Sequence, residues 1–225
     1  IVEGDDDIWK SSNLGTSWIK VNDNYDQIAN NGNALFISSD ANNSLYIIEK
    51  DEDIWRSDNL ALNWTKVNGT DFNKNNVDVA GAAVLQNKIY LADKNSDIWT
   101  SNNRGISWLL VKDDYNGNES NNIVTMTNDD NNLYIVEKDD NIWQSSNLGI
   151  SWTKVNTNYD GVLNTSNNAS LMTSDYFNNL YIIEKDEDIY RSDNQGISWT
   201  EVNVTDFNQA NGDVIDIRSD LSYWA

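Results

Sequence analysis

The chain has 225 residues, 39% hydrophobic and 23% charged, within the globular range and long enough for a substantial core. Its net charge of −21 repels phosphate backbones and anionic membrane surfaces, which argues against nucleic-acid binding, and no run of about 18 apolar residues calls for membrane insertion. Cys, His and Pro are absent, which removes disulfides, thiol chemistry, and the commonest metal ligand and general base.

The chain opens on Ile1 rather than Met, as expected of a trimmed or mature chain. Ile1-Val2-Glu3 leads through an acidic turn, Asp5 to Asp7, into IWKSS, a tight turn and SWIKVN. A polar loop follows, and then a full cycle begins. It runs ALFISSD (Ala34 to Asp40), a polar turn, LYIIEK (Leu45 to Lys50), an acidic turn, DIWRS, a tight turn, and NWTKVN (Asn63 to Asn68). Related cycles return with IYLADK, LYIVEK and a second LYIIEK. Trp18, Trp64, Trp108, Trp152 and Trp199 mark the period, with steps of 46, 44, 44 and 47 residues. A fixed period in the forties signals a propeller or a related array. The runs are short, β-branched or aromatic, and bounded by Asn, Asp, Ser and Gly, so they predict strands. The expected fold is an all-β, five-bladed propeller with four antiparallel strands per blade, forming one domain over residues 1–225. The last apolar run, Val214 to Asp220, is expected to join the N-terminal strands and close the ring, with YWA plus IVEG imitating SLYIIEK.

The tight turns read SSNLGTSW, SDNLALNW, SNNRGISW, SSNLGISW and SDNQGISW. They resemble the Asp-box, the S-x-D-x-G-x-T-W signature of BNR-repeat propellers. Ser11, Ser57, Ser101, Ser145 and Ser192 match its Ser, and the five period-marking Trp match its closing aromatic. Gly15, Gly105, Gly149 and Gly196 match its Gly, from which Ala61 departs. Asn13, Asn59, Asn103, Asn147 and Asn194 stand where the signature has Asp. The resemblance implies a structural hairpin turn remote from any ligand.

That family includes sialidases, which use three converging Arg, a Tyr-Glu pair and an acid Asp. Here Arg56 and Arg191 occupy the same repeat position, Arg104 lies in a box and Arg218 in the last run, so convergence is not expected. The F/Y-R-I-P segment is absent as well. An enzyme is not expected, and two-acid glycoside hydrolysis is the least favoured reading.

The leading expectation is non-catalytic recognition of glycans at repeated sites, with a structural or protein-binding propeller as the alternative. An extracellular or surface location goes with both. Each long loop carries an aromatic: Tyr25, Phe72, Tyr115, Tyr159 and Phe207. These either plug their loops onto the blades or offer faces on which a sugar stacks. The recurrent strand-three aromatics, Trp9, Trp55, Trp99, Trp143 and Tyr190, read as packing between blades. No cofactor is called for. The acidic turns, with Asp51, Asp53, Asp186 and Asp188, read as solvated hairpins or as weak calcium ligands.

Overall fold

Short runs of β-branched and aromatic residues give strands with two apolar faces, and each face needs a cover. The structure, a computed structural model, describes residues 1–202 except 4, 14, 29–33, 41, 69–71, 73–76, 119–121, 162–167 and 187. Among these residues all regular structure is strand. An N-terminal hairpin pairs β1 (Ile8–Lys10) with β2 (Ile19–Asn22). The first blade holds β3 (Ala34–Ser39), β4 (Leu45–Glu49), β5 (Ile54–Ser57) and β6 (Thr65–Lys66). The second holds β7 (Val79–Leu85), β8 (Lys88–Asp93), β9 (Ile98–Ser101) and β10 (Leu109–Lys112). The third holds β11 (Ile123–Asn128), β12 (Leu133–Glu137), β13 (Ile142–Ser145) and β14 (Thr153–Asn156). The fourth holds β15 (Ala169–Ser174), β16 (Leu180–Glu184), β17 (Ile189–Ser192) and β18 (Thr200–Glu201). Within every blade the strands pair antiparallel in chain order.

The expected count of five blades is therefore corrected: the described residues form four four-stranded blades. The N-terminal repeat supplies only two strands. YWA plus IVEG was expected to imitate SLYIIEK; YWA lies outside the described residues, and Ile1 to Glu3 make a single bridge, Val2 to Ile8. Three residues ahead of an acidic turn offer too few backbone groups for a ladder. The expected closing run, Val214 to Asp220, lies outside the described residues, and ring closure is not shown.

The core lies between blades. Tyr46, Ile48 and Ile54 of the first blade meet Ala82, Ile89 and Leu91 of the second. Ala92 and Ile98 of the second meet Met126, Leu133 and Ile135 of the third. Tyr134, Val136 and Ile142 of the third meet Ala169, Leu180 and Ile182 of the fourth. Face-to-face stacking covers each sheet without a second layer type. The inner strands β3, β7, β11 and β15 line a cavity of about 120 Å³ of mixed character, bounded by Phe36, Met126 and Leu171 and also by Thr125, Thr127 and Thr173. Small residues allow the close approach at this axis. A Cβ on Gly81 would sit 2.6 Å from the backbone nitrogen of Met126.

The tight turns between third and fourth strands share one bonding scheme. In the second blade Gly105 N donates to Ser101 Oγ (2.9 Å) and Ser107 N to Asn103 Oδ1 (2.9 Å). Asn103 Nδ2 donates to Ser107 Oγ (2.8 Å), a bond that an Asp carboxylate could not donate. The same amide-to-hydroxyl bond recurs from Asn13, Asn147 and Asn194, which accounts for Asn at this position. Trp108, Trp152, Trp199 and Trp18 each donate Nε1 to the turn glycine's carbonyl. The first blade differs. Ala61 holds φ +70 where the other turns have Gly, and the buried Trp64 Nε1 has no acceptor.

Ala61→Gly should raise stability by about 1 kcal/mol by removing the left-handed strain, read as a higher urea midpoint. Gly81→Val should lower it by about 1–3 kcal/mol, because the contact atom is backbone and cannot rotate away. An unchanged midpoint for Gly81→Val would contradict the close approach of β7 and β11.

Candidate recognition surface

The long-loop aromatics are inter-blade clamps. Tyr25, Phe72, Tyr115 and Tyr159 are 2%, 8%, 4% and 4% exposed. Each ring leaves its own repeat and enters the next. Tyr25 lies edge-on to Trp55 and Trp64, both at 6.0 Å, and its hydroxyl donates to Glu49 Oε1 at 2.7 Å. Tyr115 meets Trp143 (5.7 Å) and Trp152 (5.4 Å) and donates to Glu137 at 2.6 Å. Tyr159 meets Tyr190 (5.5 Å) and Trp199 (6.0 Å) and donates to Glu184 at 2.7 Å. Phe72 has no hydroxyl. It packs on Trp99 (5.6 Å) and Trp108 (5.5 Å), and there the second-strand acid is the shorter Asp93, which accepts from Trp99 Nε1. In this arrangement the four rings offer no open face on which a sugar could stack. Phe207 lies outside the described residues.

The long loops and the acidic turns share one face. Tyr25 N bonds Asp6 O, Tyr115 N bonds Ser96 O, and Asn68 Nδ2 bonds Glu52 O. Asp51 and Asp53 gather with Glu49, and Asp186 and Asp188 with Glu184, their ligand oxygens within 4.8 Å of one another. Glu3, Asp5 and Asp7 form a third such group. Two of the three carry a built-in counter-charge, since Lys66 pairs with Asp53 and Lys20 with Asp7. In the fourth blade the corresponding strand residue is Glu201.

The opposite face carries the turns between first and second strands, and one of them is unlike the rest. Tyr176 and Phe177, 50% and 78% exposed, form an edge-on pair at 5.5 Å. Asp175 builds their turn by accepting from Phe177 N and Asn179 N, both at 2.9 Å. Asn178 exchanges two bonds with Asp130 of the third blade, which fixes the turn against its neighbour. The corresponding segments elsewhere are ANNS, QN and DNN, all polar. The pair was legible in the sequence as a break in the repeat, and the expectation built on recurrent aromatics passed over it.

Burial dominates the electrostatics of Glu49, Glu184 and Asp93. It pushes the carboxyls of Glu49 and Glu184 up to about 7, against the Tyr hydroxyls that favour the charged form. Asp93 is pushed up to about 6, again mainly by burial. Each group holds its proton in the fold at a pH where the unfolded chain has lost it. The folded state therefore binds more protons between the unfolded and folded values, and stability falls as pH rises from about 4 to about 7. The melting temperature should be lower at pH 8 than at pH 5.5. Glu49→Gln and Glu184→Gln should flatten that slope, because Gln still accepts from Tyr and carries no charge. A slope unchanged in both variants would assign it to other groups.

Residues 58–211, more than half of the chain, match the family described as DUF6242 beta propeller domain. Solved structures with the same fold include YCF48 from Cyanidioschyzon merolae, with a TM-score of 0.58 and 14% identity over 78% of this chain and 57% of that one. A chain of the nidogen/laminin complex gives 0.62 and 15%, over 83% and 68%. The GH74 enzyme of Niastella koreensis gives 0.58 and 16%, over 86% and 33%. Identities this low show the fold alone. This chain spans little more than half of the YCF48 chains it matches, 54% and 57%. No curated protein matches it. These matches support the propeller, while the finer likeness to BNR repeats rests on the turn residues. The chain belongs to the DUF6242 beta propeller domain family.

Proposed function

We propose that this propeller is a non-catalytic recognition module whose partner is a protein, met through the Tyr176–Phe177 turn. The observation that carries the reading is the exposure of this pair at a place where the other blades have polar turns. Exposed aromatics on a fixed turn are typical interface anchors, rigid and rich in apolar area. The buried acids on the other face are already engaged: Glu49, Glu137 and Glu184 each accept from a clamp Tyr. That favours structure over acid–base work for them. Two fold neighbours are described as "YCF48 bound to D1 peptide" and "Nidogen/Laminin Complex", so the fold serves protein binding elsewhere. Another is described as a bacterial surface component, in keeping with the extracellular or surface location we propose here.

A glycan partner is the second reading. The exposed rings of Tyr176 and Phe177 could also stack on the C–H face of a hexose. One experiment separates the two. Wild type and Tyr176→Ser/Phe177→Ser are compared in affinity capture from a surface-protein extract and on a glycan array, with equal melting temperatures required. The proposal expects a protein captured by wild type and lost at least about tenfold in the double variant, with a blank array. Array signal that the variant loses would replace the protein by a glycan. Identical behaviour of both proteins in both assays would remove this turn from function.

A further inference from the structure

The outer strand of each blade ends its sheet, and its outer row of backbone donors and acceptors is open to another chain. Proteins blunt such edges with short strands and charged side chains, Lys above all. The outer strands here align residue for residue: Ile19-Lys20, Thr65-Lys66, Leu109-Leu110, Thr153-Lys154 and Thr200-Glu201. Every one except β10 puts a charge at the second position. β10 puts Leu110 there, after Leu109, and the two are 44% and 66% exposed. The second sheet runs β10-β9-β8-β7, so among the described residues no strand covers this edge.

The other repeats show what the missing Lys does. It stands directly opposite the strand-three aromatic: Lys20 opposite Trp9, Lys66 opposite Trp55 and Lys154 opposite Trp143. Lys20 and Lys154 lie over those rings, 5.3 and 5.0 Å from the centroids. Lys20 and Lys66 also pair with Asp7 and Asp53, just ahead of the third strand. In the second blade Leu110 stands opposite Trp99, and Asp97 holds the place of Asp7 and Asp53. Asp97 Oδ1 accepts from Asp114 N at 2.9 Å, and among the described residues no ammonium or guanidinium pairs with it. Lys112, the nearest cation along the strand, donates to the Asp113 carbonyl instead. The edge of β10 is therefore apolar at Leu109 and Leu110 and negative beside them. Its Trp and its carboxylate are placed for an ammonium that the blade does not supply.

We propose that the β10 edge docks an extended basic segment of another protein, which adds a strand to the second blade and brings a Lys or Arg to Asp97 and Trp99. Main-chain bonds along an open edge supply affinity, and alternate side chains supply specificity. Apolar side chains of the segment cover Leu109 and Leu110. Charge complementarity selects this occupant. The chain carries a net charge of −21, and a second copy would bring its own Asp113 and Asp114 to the same edge. A copy is repelled there, whereas a basic segment is attracted. The edge lies on a different blade from Tyr176–Phe177 and does not rest on the recognition reading.

The test selects a displayed random library of short linear peptides on the whole chain and measures the selected peptides against variants. Wild type should select peptides in which Lys or Arg is flanked by β-branched or aromatic residues, a strand-forming pattern. Leu109→Thr/Leu110→Lys writes the Thr-Lys of the first and third blades into β10 and should melt as wild type does. It should weaken the selected peptides at least about tenfold, and Leu110→Lys alone, the milder variant, should act in the same direction. Asp97→Asn should cost a Lys peptide about two- to fivefold, and should cost nothing when norleucine replaces that Lys. Tyr176→Ser/Phe177→Ser should bind these peptides as wild type does. No selected peptide, peptides without a basic residue, or binding untouched by Leu110→Lys overturns the proposal. Binding lost in the Tyr176→Ser/Phe177→Ser variant instead overturns it in favour of the aromatic turn. A wild-type dimer in sedimentation that Leu109→Thr/Leu110→Lys abolishes overturns it in favour of a second copy.

Discussion

The fold depends on one constraint: a four-stranded sheet with two apolar faces cannot cover itself. Stacking supplies the cover, and the long-loop aromatic fixes the stack. Tyr25, Phe72, Tyr115 and Tyr159 each cross from one repeat to a pair of aromatic rings in the next. The burial of Tyr46, Ile48 or Leu133 against a neighbouring blade follows from that docking, as does the close approach of Gly81 to Met126. Three of the four clamps bury a hydroxyl as well as a ring, and each is matched by a carboxylate on the second strand. Acidity in the interior is therefore partly a consequence of using Tyr as a wedge.

The strands, their pairing and the tight turns were legible because their physics is local. Alternation fixes a strand face, and Ser-x-Asn-x-Gly fixes a turn whatever surrounds it. The role of Tyr25 and its equivalents was not legible at that level. An aromatic in a polar loop looks the same whether it plugs or presents. The discriminating signal is non-local and was nonetheless present. Where the loop carries Tyr, the next repeat's second strand ends in Glu, as in Tyr25 with Glu49. Where it carries Phe72, that strand ends in Asp93. Reading the two positions together would have exposed the clamp. The count of blades failed for a different reason: its fifth blade needed Val214 to Asp220 and YWA beside the N-terminal strands, and the described residues there form one bridge and a two-stranded hairpin.

Repetition also biased the search for a site. Five similar units invited an expectation of five similar pockets, whereas the described surface is most distinctive where the units differ. Tyr176–Phe177 replaces a polar turn, Asn141 replaces an acid that pairs with a Lys in the hairpin and the first blade, and Ala61 replaces a turn glycine. The first alters what the molecule shows to solvent, and the second removes a carboxylate from a buried turn position. The third alters only strain.

The clamp places its wedge and its receptacle on successive repeats, about half a period apart, always in the same direction along the chain. A gene segment copied in frame over one period carries one of each. The copy receives the wedge of the unit before it and offers its own to the unit after. Lengthening the array by duplication then leaves no unmatched ring inside it, and the repeat number can drift without any new contact having to arise. Mismatch is confined to the two ends, where selection on the remaining sequence can act.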